Sequence, residues 1–158
     1  MNVVFIYAFG FVFSTIGGHL LISPLMRRLW KACEEELRDV YKVQSKHGLH
    51  PRMLGMLERA MYTSAWLLGL PQFITIWLGI KTVGQWGTAV GGSGRLVFNL
   101  FLIGNAFSIA FGAMGGLTIK WMLSGRERLA LLTAVGLAAA NLAAYFWVRW
   151  TYKAKRIG

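Results

Sequence analysis

The sequence predicts an all-α, polytopic membrane protein: a four-helix transmembrane bundle with an amphipathic cytoplasmic helix between spans one and two, all within a single membrane domain, 1–158. Three observations predict it. The chain is 56% hydrophobic with mean hydropathy +0.50, whereas soluble domains are nearer about 45–50% apolar. The excess falls in four blocks, about 2–25, 58–84, 96–120 and 129–149, and each clears the roughly 20 residues that a bilayer requires. None alternates with period two as barrel strands do, so the spans are expected to satisfy their backbones as helices.

The first block, "MNVVFIYAFGFVFSTIGGHLLISPLM", has no basic n-region and no small-x-small cleavage site. It reads as a retained span rather than a signal peptide, stopped by Arg27, Arg28 and Lys31. The basic loop 27–57 follows. Within it Trp30, Cys33, Leu37, Val40 and Tyr41 share one helical stripe, and Glu34 and Arg38 form a favourable i,i+4 pair. Gly48 and Pro51 end that stem. The stripe fits packing on headgroups or on the same subunit, with self-association as the alternative.

The second block opens on adjacent Glu58 and Arg59 and then holds no charge until Lys81. From Arg59 to Lys81 is 22 residues, about 33 Å of helix, close to the ~30 Å hydrocarbon core. The charges are therefore expected at opposite membrane faces. Glu58 would bridge to a basic residue near Lys120, Arg126 or Arg128, Arg59 would reach lipid phosphates, and Lys81 would snorkel outward. Gly69 and Pro71 predict a kink near 67–70, with Gln72 or a neighbouring helix serving the freed carbonyls.

Blocks three and four carry small residues every fourth position: Gly104, Ser108, Gly112 and Gly116, then Gly136, Ala140 and Ala144. Gly10, Ser14 and Gly18 do the same in the first. Such stripes let helix backbones approach closely. "GTAVGGSGR", 87–95, lacks the lysine of a phosphate loop and reads as a connection.

Charge and chemistry narrow the function. The formal net charge is +11, but the positive residues lie beside apolar blocks, so anionic membrane lipids are the expected partners and nucleic acid is not. Eight Lys and Arg in 27–59 and three in 120–128 oppose six on the other side, which places both termini outside, although the basic tail "RWTYKAKR" pulls the other way. Trp30, Trp86, Trp121, Trp147 and Trp150 form an aromatic belt. The lone Cys33 excludes an intrachain disulfide. His47 and His50 are weak as a metal pair, His19 fits a backbone or headgroup contact, and Ser93 does not fit G-x-S-x-G; no catalytic, metal or cofactor site is expected.

All six acids, Glu34, Glu35, Glu36, Asp39, Glu58 and Glu127, fall at or beyond the inner face on this topology, so no acidic relay or filter is expected. The intramembrane polar residues Gln72, Asn99, Asn105, Ser108 and Asn141 then either join helices or line a path. Glu58, Arg59, Lys81, Arg95 and Lys120 are the interface charges.

Glu58, Arg59, Gly69, Lys81, Phe101, Leu102, Ile103, Gly104 and Ser108 follow an order E-R … G … K … F-L-I-G-x-x-x-S. Over about 55–115 this resembles a group of uncharacterised bacterial multipass inner-membrane proteins with the pattern E-R … G … K-S … E-Y-F-L-I-G-T-x-x-S. The resemblance implies a bacterial inner-membrane protein and brings no activity. Asn99 stands where that group carries an acid and Asn105 where it carries threonine. A pair between Lys81 and that acid is therefore not carried over.

The expected function is an oligomeric channel or transport-type protein, for anions or lipids. The alternative is a non-catalytic scaffolding or sensing subunit of a larger membrane complex. An intramembrane lipid enzyme ranks below both, since no nucleophile–base set is visible.

Overall fold

A computed structural model describes residues 2–33, 51–86 and 92–154, all helical apart from short turns and ends. The remainder of the stem (Leu37, Val40, Tyr41, the Glu34–Arg38 pair), His47, His50 and most of the Gly-rich connection lie outside the described residues. Asn2 starts α1 (Val3–Val12) by accepting the Val4 N–H at 3.0 Å. A π-helical turn at Phe13–Gly17 joins it to α2 (Gly18–Ala32). Then come α3 (Pro51–Leu67), α4 (Gln72–Trp86), α5 (Gly92–Leu123) and α6 (Glu127–Ala154).

Among the described residues, three stretches are long and apolar enough to cross a membrane: Val3–Ala32, Gly94–Leu123 and Glu127–Thr151. The expected single crossing at 58–84 is instead a hairpin of two shorter helices. The reason is local. Gly69 takes φ +72°, a left-handed conformation that costs a side-chain-bearing residue about 1–2 kcal/mol. Its N–H donates to the Trp66 carbonyl and that of Leu70 to the Ala65 carbonyl, which closes α3. Pro71 follows, and the Ile74 N–H on its carbonyl begins α4. The carbonyls thus find backbone partners, and Gln72 is exposed. A second glycine, Gly125 at φ +73°, closes α5 by the same pair of bonds, from Gly125 to Met122 and from Arg126 to Trp121.

The contacts set the directions. Gly10 lies against Ile119, Ser14 against Gly115 and Met26 against Gly104, so the first long helix and α5 are antiparallel. Arg59 meets Ser108, Thr63 meets the Gly112 carbonyl and Trp66 meets Gly116, so α3 runs parallel to α5. Ile74 packs on the Tyr62–Ala65 cluster and Lys81 reaches back to Glu58, so α4 returns alongside α3. Tyr145 lies under Arg28 at 4.6 Å, which brings the far half of α6 beside the end of α2.

One end of the bundle therefore holds Val3, the α3–α4 turn and the α5–α6 turn. The other holds the ends of α2, α4 and α6 and the starts of α3 and α5, around a cluster of Val97 and Leu100 with Met26, Leu29 and Trp30. Among the described residues, seven Lys and Arg belong to this second end: Arg27, Arg28, Lys31, Arg52, Arg95, Arg149 and Lys153. Lys120, Arg126 and Arg128 belong to the first, and Arg59 and Lys81 lie between.

Candidate functional site

Near the midpoints of the long helices, α3 and α4 bring three ionisable side chains together. Glu58 and Arg59 are each 3% exposed. Lys81 Nζ lies 2.6 Å from Glu58 Oε1, with the two side chains 18% and 5% exposed. The same oxygen accepts the Trp77 indole N–H at 3.3 Å. Trp77 and Lys81 are four apart on α4, which puts both on the face toward Glu58.

Lys81 also donates to Asn105 Oδ1 at 2.7 Å and stands 5.0 Å from the centre of the Phe101 ring. Asn105 is held by its own amide, which donates to the Phe101 carbonyl at 2.8 Å. One turn along α5, Ser108 Oγ accepts from Arg59 Nη1 at 3.4 Å. Arg59 Nη2 donates to the Thr15 carbonyl at 3.3 Å, inside the π turn. Thr15 and Ser14 bond the Phe11 carbonyl through their hydroxyls, a pattern that loosens regular helix winding there.

Below the ions sits a hydroxyl knot. Thr63 Oγ1 is 2.8 Å from Ser14 Oγ, 2.9 Å from the Arg59 carbonyl and 3.1 Å from the Gly112 carbonyl. Close backbone approach makes it possible. A Cβ on Gly115 would stand 2.7 Å from Ser14 Cβ and 2.9 Å from the Gly10 carbonyl oxygen. Arg59 Nε, Tyr62 Oη, Thr118 Oγ1 and both amide atoms of Asn141 are buried with no hydrogen-bond partner among the described residues.

Several expectations change here. Glu58 is not at a membrane-facing edge beside Lys120, Arg126 or Arg128. Because α3 is parallel to α5, it lies near the level of Ser108, and Lys120 is 12 residues farther on, about 18 Å. Arg59 is buried rather than free for lipid phosphates, and Lys81 pairs inward with an acid that the sequence places 23 positions earlier. The premise that no acid lies deep in the apolar layer fails for Glu58.

The remaining candidates divide. Asn105 and Ser108 join the network, whereas Asn141 is 1% exposed on α6 without a partner. Asn99, Arg95 and Lys120 are exposed. Gly112 and Gly116 contact α3, and Gly104 contacts Met26. On α6, Gly136 has nothing within 4 Å, Ala140 is exposed and Ala144 is half-buried. Sequence reasoning missed Thr63, Gly115 and Trp77, and read Ser14 only as a packing residue. The signal available for the hairpin was Gly69 followed by Pro71 at helix-stop spacing.

No known family, curated protein or solved structure matches this chain.

Proposed function

We propose that the chain is a small integral membrane protein of the transport type, working as an oligomer, with the Glu58–Lys81–Arg59 network as its working centre. The observation that carries this is the burial of one acid and two bases at mid-bundle, tied to polar groups from four helical segments. Ionisable groups are costly in a membrane interior, and where they occur they commonly mark ion or substrate pathways. The resemblance over 55–115 supports a bacterial inner membrane. Among the described residues, seven Lys and Arg at one end against three at the other support a cytoplasmic basic end, facing anionic lipids. On that reading the N-terminus is outside and the C-terminus inside, with three crossings and a re-entrant hairpin.

The second reading is a non-catalytic subunit of a larger complex. The tight contacts at Gly112, Gly115 and Gly116 favour it, because they fill the interior of a single copy. Native mass in the protein's own lipids separates the two. Three or more copies, together with ion flux into liposomes that Glu58→Gln abolishes, supports transport. A monomer, or a fixed assembly with a different protein, supports the subunit reading.

A further inference from the structure

We infer that Glu58, Asn105 and Phe101 form a seat for a primary ammonium group, which the chain's own Lys81 occupies as a tethered plug. An R–NH₃⁺ group has three N–H donors and no acceptor. At Lys81 the surroundings match that need. The Glu58 carboxylate takes one donor at 2.6 Å and the Asn105 amide oxygen takes another at 2.7 Å. The Phe101 ring, 5.0 Å away, offers the cation its negative face. Asn105 is set independently of the lysine by its own amide on the Phe101 carbonyl, whereas Glu58 also accepts from Trp77, which shares α4 with Lys81. Glu58 and Asn105 belong to α3 and α5, which pack on one another, whereas Lys81 belongs to α4. In a shift of α4, Glu58, Asn105 and Phe101 therefore stay with α3 and α5, and the lysine plug leaves together with the Trp77 donor.

With Lys81 withdrawn, an incoming monovalent cation at the Glu58 carboxylate restores the charge that the lysine supplied. Two oxygens and a ring suit an ammonium better than a bare alkali cation, which seeks a fuller oxygen shell. The outer face of α4, with Ile76, Ile80 and Val83 exposed, leaves room for that helix to shift. Lys81 is five residues from the end of α4 at the basic end, about 7.5 Å. As a transport step this rests on the transport reading; as a binding site it does not.

The test is chemical rescue in detergent. Lys81→Ala lowers the Tm, and ethylammonium chloride restores at least half of the loss. Potassium chloride and tetraethylammonium chloride at equal ionic strength do not, and Glu58→Gln/Lys81→Ala is not rescued. No rescue of Lys81→Ala, or equal rescue of the double variant, overturns the seat; equal rescue by potassium overturns its assignment to ammonium. If Lys81→Ala is not recovered folded, Lys81→Met takes its place. If neither is, wild-type hydrogen exchange decides: ethylammonium speeds exchange of the 72–86 amides beyond potassium at equal ionic strength, and no difference overturns the proposal. Rescue without liposome flux keeps the seat and removes the transport reading; flux without rescue does the reverse.

Discussion

Glu58 shows how one side chain's surroundings decide its meaning. In water, a Glu–Lys pair contributes about 0–1 kcal/mol. At 3% exposure the balance differs, because removing one partner strands a charge away from water. Glu58→Gln leaves Lys81 and Arg59 both without their acid and is expected to cost about 3–5 kcal/mol. Replacing the pair together, Glu58→Met with Lys81→Met, is expected to restore much of that loss, since well-packed apolar substitutes for buried pairs are often neutral. Equilibrium unfolding of the three proteins in one detergent checks this, and equal losses in the single and double variants would contradict it. Thr63 offers a second case. Its hydroxyl meets Ser14, Arg59 and Gly112 on three different helical segments. Thr63→Val keeps the shape and leaves those groups unserved, at an expected cost of about 1–3 kcal/mol in the same assay.

Helices α5 and α6 both carry small residues every four positions, yet only one uses them inside this chain. A Cβ on Gly116 of that stripe meets Trp66 and the Thr63 carbonyl, and one on neighbouring Gly115 meets Ser14 and Gly10, whereas among the described residues a Cβ on Gly136 meets nothing within 4 Å. Gly115→Ala is therefore expected to destabilise by about 1–3 kcal/mol through overpacking. Gly136→Ala is expected to stabilise the isolated chain by up to about 1 kcal/mol through helix propensity. Thermal unfolding in detergent reads both. If Gly136→Ala instead lowers both Tm and native mass in lipid, that stripe packs against another copy. Hairpin α3–α4 depends on Gly69 in the same local way. Gly69→Ala is expected to cost about 1–2 kcal/mol from its φ of +72°.

The arrangement of the whole chain turns on that hairpin. One continuous span at 58–84 would put Leu68 in the middle of the bilayer. As the α3–α4 turn, Leu68 is 73% exposed at the end of the bundle opposite the basic residues. In a Cys33→Ser background, Leu68→Cys is expected to react with a membrane-impermeant maleimide from the side where an N-terminal tag is reached. A C-terminal tag is expected to be reached only from the other side. Labelling of both tags from one side would restore an even number of crossings and reject this topology.

Much of the architecture was legible in composition. Apolar blocks without period-two alternation require helices, because a backbone away from water bonds within its own segment. The three long blocks and the small-residue stripes of the first span and α5 needed no further information, and Gly125 marks its turn by the stop signal that Gly69 also carries. The partner of Lys81 was not legible. Helical rise placed it about 33 Å from Arg59, and that distance holds only if the helix continues. One left-handed glycine before a proline folds the segment back and makes Glu58 its neighbour. Local chemistry sets where helices form and stop; only packing sets which stops become reversals, and so which charges meet.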